Sequence, residues 1–303
     1  MNHFCFFYII FVTRILMVYL IKVESIMEMK TIRLNNGLEI PQIGVGTWTL
    51  YGETARQNTR LAIEAGFRHI DTAQGYENEA EVGQGIIDSG VKRSEVFITT
   101  KVATNIMRQG SEAVRDSIDE SLCKLKTDYI DLLLIHWPVK NCVKSTWQVM
   151  EEYVKKGLVK SIGVSNFNRH HLDELLEYAE IRPVINQIEV HPLMTQEENI
   201  AYNHQLGIQV EAWGPFGQGD IDVIGHPVLS SLALKYQKTA SQIVLRWIVQ
   251  RNLITIPRAK PKHFDENMEI MTFTLSDEDM HAINALNQNL RSNVLNNPET
   301  FPW

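Results

Sequence analysis

The strongest constraint on the fold of this chain is a repeated alternation of short apolar segments with longer amphipathic ones. Eight short segments have the composition of buried β-strands, at residues 43–46, 68–72, 96–101, 129–136, 159–164, 184–189, 208–211 and 253–256. The run LLLI in the fourth segment is apolar at every position, which indicates a strand covered on both faces. Stretches with helical spacing accompany the strands, at residues 57–65, 77–89, 111–125, 146–156, 169–179, 197–206, 227–236 and 240–250. Eight strand–helix units without a long polar linker predict one α/β domain, a (β/α)8 or TIM barrel.

Two further elements are predicted at the ends of this barrel. The segment TIRLNNGLEI at residues 31–40 predicts an N-terminal β-hairpin, because Asn36 and Gly37 separate two apolar-alternating runs. A last helix is predicted at residues 276–287, where Ser276 and Asp279 resemble a capping box with Asp in place of Glu. We therefore expect a single barrel over residues 27–303.

Residues 1–26 form an apolar extension in which only Thr13 and Arg14 interrupt positions 4–21. A secretory signal would carry a basic N-terminal region and a small-residue cleavage site, and neither is present. A membrane anchor needs roughly 20 apolar residues, and Arg14 in mid-run would cost about 2.5–3.5 kcal/mol. A third interpretation is a mis-assigned start, with translation beginning at Met27 or Met29. The three interpretations stay open, and we expect the mis-assigned start.

Charge and cysteine content exclude several classes of function. The formal net charge is −7 at pH 7 and no run of Lys or Arg occurs, which argues against nucleic acid as a partner. The three cysteines, Cys5, Cys123 and Cys142, form no C-x-x-C pair, which argues against a disulfide framework or a Cys-rich zinc site. We expect a cytoplasmic monomer that uses no metal and has no membrane partner.

Ionisable residues follow the predicted strands at the barrel end where catalytic groups lie. Asp71 ends the second strand and Tyr76 follows it, Lys101 ends the third strand, and His136 ends the fourth. A phenol with a pKa near 10 is a poor acid until an ammonium lowers that pKa, and a carboxylate can hold the ammonium in place. Imidazole can orient a carbonyl substrate. Together these groups make a proton donor for a carbonyl that becomes an alkoxide, which suits hydride transfer to an aldehyde or ketone.

The segments GFRHIDTAQGYENEAEVGQGI, ITTKV, LLLIHWP, SIGVSNF, NQIEVHP and IPRA resemble, in this order, those of the aldo-keto reductase superfamily. The resemblance spans residues 44–267 and implies a (β/α)8 barrel that binds NADPH without a Rossmann domain. No G-x-G-x-x-G motif follows a strand in this chain, which agrees with that implication. The bacterial 2,5-diketo-gluconate, glyoxal and methylglyoxal reductases are the members that it resembles.

The resemblance also implies roles for individual residues. Tyr76 would be the general acid, Lys101 would lower its pKa, Asp71 would pair with Lys101, and His136 would orient the carbonyl. The residues expected to bind the cofactor are Thr47, Trp48, Asp71, Ser165, Asn166, Gln187, Trp213, Gly214, Pro215, Phe216, Gly217, Arg258, Ala259, His263, Glu266 and Asn267. Those expected to line the substrate pocket are Trp48, Tyr76, His136 and Trp137. Trp213 replaces the Tyr that usually stacks on the nicotinamide, and an indole can stack as well.

The expected adenosine end departs further from the family pattern. Arg258 replaces the usual Lys, Ala259 lacks the usual hydroxyl, and His263 stands where an Arg would grip the 2′-phosphate. Arg can clamp a phosphate with two hydrogen bonds, whereas a neutral His cannot. We therefore expect NADPH as the cofactor, with NADH as an alternative.

The predicted substrate is a small carbonyl, such as a 2-oxoaldehyde or a keto-sugar, and the product is the alcohol. The short loop after His136 and the short C-terminal tail predict an open cleft. Two other classes stay open: a barrel that senses NADPH with little turnover, and a metal-dependent hydrolase. Retention of all four catalytic residue types argues against the sensor, and chelators would inactivate only the hydrolase.

Overall fold

The computed structural model describes residues 30–301 of the chain. Ten strands occur in these residues. They are β1 (Thr31–Arg33), β2 (Glu39–Pro41), β3 (Val45–Gly46), β4 (His69–Asp71), β5 (Phe97–Val102), β6 (Leu132–Ile135), β7 (Ile162–Ser165), β8 (Ile185–Glu189), β9 (Gln209–Trp213) and β10 (Ile254–Thr255). Each of β3 to β10 overlaps one of the eight segments predicted as strands.

Eleven α-helices of the described residues surround or follow these strands. They are α1 (Gly52–Glu64), α2 (Glu79–Asp88), α3 (Thr104–Met107), α4 (Ser111–Lys124), α5 (Val143–Lys155), α6 (Arg169–Leu176), α7 (Glu197–Gln205), α8 (Pro227–Tyr236), α9 (Ala240–Gln250), α10 (Phe264–Met268) and α11 (Asp277–Asn284). The predicted bounds of α8 and α9 agree with the structure, because Pro227 and the Thr239 cap mark their beginnings unambiguously.

The strands β3 to β10 form one parallel sheet in sequence order that closes on itself. Neighbouring strands pair in parallel throughout, from β3 with β4 to β9 with β10. A parallel bridge between Ile43 and Thr255 joins the two ends, and Gly44 N donates to Thr255 O at 2.8 Å. The predicted (β/α)8 barrel is thereby confirmed, with the carboxyl ends of all eight strands at one rim.

The predicted N-terminal hairpin is formed by β1 and β2 and covers the opposite rim. Its apolar residues Ile32, Leu34 and Ile40 pack with barrel residues such as Leu132 and Ile254. The Asn36 amide donates to Ser161 Oγ at 2.9 Å, at the beginning of a barrel strand. The hairpin therefore seals the amino end of the barrel and leaves the other rim as the accessible one.

Helices α1, α2, α5 and α11 begin at residues other than those predicted. Helix α1 begins at Gly52, five residues before the predicted start, because Ala55 is buried but too small to mark an apolar face in the sequence. At α11 the Ser276 hydroxyl accepts from Asp279 N, as expected for a cap. The reciprocal half of the capping box was wrong: the Asp279 carboxylate accepts from Lys235 and from the Ser276 hydroxyl, and Ser276 N donates to Tyr236 OH.

Within residues 30–301, no helix is long and apolar enough to cross a membrane. The apolar extension 1–26 lies outside the described residues, so its three interpretations stay predictions. Cys123 and Cys142 are both free thiols.

Candidate active site

A cavity of about 550 Å³ opens at the rim formed by the carboxyl ends of the barrel strands. Thirteen of the residues predicted as site residues line it: Trp48, Asp71, Tyr76, His136, Trp137, Ser165, Asn166, Gln187, Trp213, Gly214, Pro215, Phe216 and Arg258. The structure thus brings together residues from seven barrel strands or from the loops that follow them.

Lys101 lies behind the cavity wall with its side chain fully buried. Its ammonium nitrogen donates to Asp71 Oδ1 at 2.6 Å, to the Thr72 carbonyl at 2.9 Å and to the Tyr76 hydroxyl at 3.3 Å. The second carboxylate oxygen of Asp71 accepts from Gln187 Nε2 at 2.7 Å. Because all three N–H groups of Lys101 have acceptors, the ammonium is held in one orientation with one N–H directed at the phenol.

The protonation of these groups follows from burial and from their mutual contacts. Burial raises the pKa of the Tyr76 phenol, and the Lys101 ammonium opposes that rise. Burial works against the charged form of Lys101, but Asp71 and Tyr76 outweigh it, and the pKa of Lys101 is raised. Burial also raises the pKa of Asp71, which the contacts with Lys101 and Gln187 oppose. The expected lowering of the phenol pKa by Lys101 is present, but burial exceeds it.

His136 faces Tyr76 across the floor of the cavity. The two rings meet edge to face, with centroids 5.6 Å apart and an interplanar angle of 75°. Burial and the positive charge of Lys101 lower the pKa of His136 to about 3. The imidazole is therefore neutral at physiological pH, so it can donate or accept a hydrogen bond without adding charge.

The position of Tyr76 is set by the short turn that follows β4. Thr72 Oγ1 donates to Asn78 Oδ1 at 2.7 Å, and Asn78 Nδ2 donates to the Thr47 carbonyl at 2.9 Å. The Thr47 hydroxyl donates to the Asp71 carbonyl at 3.0 Å, so Thr47 is a buried support of the turn. Glu77 next to Tyr76 has a left-handed backbone (φ 55°), which turns the chain sharply after the phenol.

Amide and hydroxyl groups after β7 and β8 form a second polar wall. Asn166 has a left-handed backbone (φ 64°), a conformation that Asn tolerates better than most residues. Its amide nitrogen donates to the His136 carbonyl at 3.1 Å and to Ser165 Oγ at 3.0 Å. Its oxygen accepts from the Trp213 indole N–H at 2.9 Å. This network joins the amides to a half-buried indole ring that lines the cavity.

The loop after β9 contributes Gly214, Pro215, Phe216 and Gly217. Gly214 and Gly217 both have left-handed backbones, with φ of 62° and 72°. A Cβ on Gly217 would lie 2.5 Å from the Ile221 side chain. Packing within the loop therefore requires a glycine at this position, and the expected role of Gly217 in cofactor binding stays a prediction.

The expected adenosine end lies beside the cavity, around β10 and α10. Arg258 is exposed, and its guanidinium donates to the Thr49 hydroxyl. The buried Ala259 offers its carbonyl to Asn58 Nδ2 at 3.0 Å, which anchors the segment to α1. His263 Nδ1 lies 3.2 Å from the Glu266 carboxylate, and Asn267 is buried. Of these residues only Arg258 lines the cavity.

One group of side chains in the described part of the chain has the composition of a metal site. His170, His171 and Glu299 offer ligand atoms within 4.8 Å of one another. The ring nitrogen Nδ1 of His171 accepts from Asn168 N, as part of the cap of α6, so a neutral ring carries its proton on Nε2. Binding a metal through Nε2 would move the proton to Nδ1 and sacrifice this cap, so His171 is accounted for by the beginning of α6.

Comparison with known proteins decides the family. The model of the aldo/keto reductase family matches residues 42–223 and 224–288. The chain is an aldo-keto reductase. It is 45% identical to the glyoxal reductase of Bacillus subtilis over 263 residues, which are 86% of this chain and 94% of that protein. It is 41% identical to the methylglyoxal reductase of Escherichia coli K12, with the same coverage of both chains.

A solved structure of similar fold agrees with this assignment. The aldo-keto reductase of Bombyx mori in complex with NADP superposes with a TM-score of 0.83 at 38% identity, covering 91% of this chain and 99% of that one. As an aldo-keto reductase, the chain is an oxidoreductase of a family that reduces small carbonyl compounds with a nicotinamide cofactor.

Several residues of this aldo-keto reductase site were missed by sequence reasoning. The C-terminal tail brings Asn293, Asn296 and Phe301 into the cavity wall. The Phe301 ring stacks on Trp137 with centroids 3.8 Å apart and 17° between planes. The tail was predicted to leave the cleft open, but it covers one side of the cavity. The aromatic residues in the last three positions of the sequence, 301–303, were the one signal that could have indicated this contact.

Proposed function

We propose that this aldo-keto reductase transfers a hydride from NADPH to a small aldehyde or ketone and gives the alcohol, with Tyr76 as the proton donor. The observation that carries the proposal is the position of the Lys101 ammonium, which contacts both the Asp71 carboxylate and the Tyr76 hydroxyl. A buried ammonium beside a phenol stabilises the phenolate that remains after the proton leaves. Among residues 30–301, Tyr76 is the cavity residue whose hydroxyl contacts a buried ammonium, so it offers a proton together with a means of stabilising its conjugate base.

The cavity has the side chains that a nicotinamide nucleotide needs. The half-buried indole of Trp213 offers a flat surface for the nicotinamide ring, and the amides of Asn166 and Gln187 with the Ser165 hydroxyl offer partners for its carboxamide. Arg258 lines the same cavity with a guanidinium suited to a phosphate. When bound there, the cofactor supplies the hydride.

The reaction of the carbonyl then follows from the residues of the chain. The neutral His136 imidazole and the Tyr76 hydroxyl both face the cavity and would hold the carbonyl oxygen between them. As negative charge develops on that oxygen, the phenol donates its proton and the substrate becomes the alcohol. Lys101 stabilises the phenolate, while Asp71 and the Thr72 carbonyl keep the ammonium in place. The phenolate of Tyr76 later takes up a proton again, so every residue ends the reaction in the state in which it began.

The substrate end of the cavity is aromatic. Trp48, which is 43% exposed, Trp137 and Phe301 would contact the part of the substrate beyond the carbonyl. A compact, polarised carbonyl such as a 2-oxoaldehyde or a keto-sugar suits these flat surfaces and the neighbouring Asn293 and Asn296 amides. The similarity to glyoxal and methylglyoxal reductases supports this choice.

The test follows NADPH absorbance with methylglyoxal and 4-nitrobenzaldehyde, with NADH in parallel. We expect turnover with NADPH by the parent and a loss of at least about 100-fold for Tyr76→Phe, the range of general-acid contributions. Binding of NADPH, measured by fluorescence, should persist in this variant. Tyr178→Phe is the matched control, because the Tyr178 hydroxyl is buried without a hydrogen-bond partner among residues 30–301 and does not line the cavity.

Equal turnover by Tyr76→Phe and the parent would refute the assignment of the proton donor. Tight NADPH binding without turnover of any carbonyl would favour the sensor, and inactivation by chelators would favour the hydrolase. The preference for NADPH over NADH rests on Arg258 and is tested in the same assay. The cytoplasmic location, the monomeric state and the independence from metals stay predictions.

A further inference from the structure

A second layer of polar side chains lies inside the barrel beneath the Asp71–Lys101 pair. Glu211 precedes the cavity residue Trp213 by two positions on β9, and His69 precedes Asp71 by two positions on β4. Alternate residues of a strand share a face, so both side chains point into the barrel. Glu211 and His69 are each fully buried, and His69 Nε2 lies 3.7 Å from Glu211 Oε1.

This layer is isolated from water on the side away from the cavity. Leu132, Leu134 and Ile185 pack below it with the N-terminal hairpin. Neither carboxyl oxygen of Glu211 has a hydrogen-bond partner among residues 30–301. Gln187 is near enough to favour the ionised form of Glu211, but its Nε2 hydrogen bond goes to Asp71 instead. Burial of an ionised carboxyl group without a hydrogen-bond partner costs free energy of folding, so this environment favours the neutral form of Glu211.

The groups that face Glu211 bias its protonation strongly. Burial raises the pKa of Glu211 to about 8, Asp71 adds to the rise, and Lys101 opposes it. Burial and Lys101 lower the pKa of His69 to about 3, so this neighbour is neutral and supplies no counter-charge. His69 Nε2 also lies 3.1 Å from the Thr99 hydroxyl. Two carboxyl groups therefore compete for the one ammonium of Lys101.

We propose that Glu211 is a positioning residue for the proton donor: its neutral form leaves Lys101 to Asp71 and Tyr76, and its ionised form weakens proton donation by Tyr76. This inference rests on the proposed function. The geometric ground is a buried carboxyl group without a hydrogen-bond partner among residues 30–301, paired in the sheet with Gln187, whose amide donates to the Asp71 carboxylate that holds Lys101.

The direction of the effect follows from the sign of the charges. A negative Glu211 makes the phenolate at Tyr76 less favourable, and it contributes to raising the pKa of that phenol. It also contributes to raising the pKa of Lys101, so the ammonium keeps its proton. A phenol with a higher pKa is a poorer donor to the developing alkoxide. Carbonyl reduction is therefore faster while Glu211 is protonated.

The test compares the pH profile of kcat/KM for carbonyl reduction in the parent and in Glu211→Gln. The amide has the shape of the protonated acid but cannot ionise. We expect the parent to fall through a limb near pH 8 to a lower level, whereas Glu211→Gln keeps its activity through that range. The two should agree at pH 6.5 and differ about three- to tenfold at pH 9.5, which corresponds to half to one unit in the pKa of Tyr76.

A matched control is Glu79→Gln. Glu79 is also a buried acid whose pKa is raised by burial, but its oxygens accept from Thr100 and Ser121, and it begins α2 outside the barrel. Its replacement should leave the limb near pH 8 in place. Infrared difference spectra of the parent and Glu211→Gln give a second readout, because the C=O band of a protonated carboxyl should be present at pH 6.5 and lost at pH 9.5 in the parent only.

Superimposable pH profiles of the parent and Glu211→Gln would overturn the proposal, as would the same shift in Glu79→Gln. Loss of activity in Glu211→Gln at every pH, with an unchanged melting temperature, would also overturn it, because the neutral form is the one held to be active. If the parent itself reduces no carbonyl with either nicotinamide cofactor, the proposed function fails, while the infrared measurement still decides whether Glu211 titrates.

Discussion

The buried ion pair between Lys101 and Asp71 allows a prediction that separates stability from activity. In Lys101→Met the ammonium disappears, and Asp71 keeps only the Gln187 donor on its side chain. Removal of one partner from a buried pair costs about 3–5 kcal/mol, because the other charge stays buried without compensation. We expect the free energy of unfolding, measured with urea, to fall by that amount.

The double variant Asp71→Asn/Lys101→Met removes both charges. The Asn oxygen can still accept from Gln187, so no charge is left unpaired at this position. We expect at least about 2 kcal/mol of the lost stability to return, since neutral replacements of whole buried pairs are often tolerated. Carbonyl reduction should stay lost in both variants, because neither has an ammonium beside Tyr76.

The stability cost of Lys101→Met should also depend on pH. Without Lys101, burial raises the pKa of Asp71 further above its unfolded value, so the folded state gains stability as pH falls and the acid is protonated. The stability cost of Lys101→Met should therefore be larger at pH 8 than at pH 5, and the double variant should show no such difference.

A matched control is the pair between Lys155 and Glu180. Its nitrogen and oxygen atoms are also 2.6 Å apart, but the two side chains are 59% and 69% exposed. Lys155→Met should cost under about 1 kcal/mol. The reasoning would be refuted if Lys101→Met cost no more than Lys155→Met, or if the double variant were as unstable as Lys101→Met alone.

Two further predictions concern packing and acid stability. In Gly163→Ala the new Cβ would lie 2.6 Å from the Ile185 carbonyl oxygen and 2.8 Å from a Leu134 methyl group. The free energy of unfolding, measured in urea, should therefore fall by about 1–3 kcal/mol. An unchanged urea midpoint would contradict the packing argument. Burial lowers the pKa of His69 from its ordinary 6.5 to about 3, so between these values the unfolded chain binds a proton that the folded chain does not. Stability therefore falls as pH drops from 6.5 towards 3, by up to about 1.4 kcal/mol per pH unit. His69→Gln should reduce that slope, and equal slopes for variant and parent would refute the assignment.

The catalytic candidates were accessible from the sequence because of where they fall in it. Asp71, Lys101 and His136 each end an apolar strand segment, and parallel strands of a closed barrel place all such ends at one rim. Tyr76 lies in the turn after Asp71, and the family resemblance then implied its role as general acid. The strand count, the hairpin and the helices α8 and α9 were equally local properties of pattern, capping and turn residues.

Other features depended on contacts between distant parts of the chain. Phe301 stacks on Trp137 across more than 160 positions, and nothing in either segment specifies the other. Glu211 looks like an ordinary polar position of a strand until the barrel closes and buries it beside His69.

The sequence by itself determined the order of strands and helices, the rim at which the chemistry lies and the residue types that can perform it. These follow from local periodicity and from the rule that carboxyl ends of parallel strands meet. Only the tertiary structure decided which groups share protons and which surfaces close the cavity. Such properties depend on burial and on distances of a few ångströms between strands, and a linear pattern does not contain them.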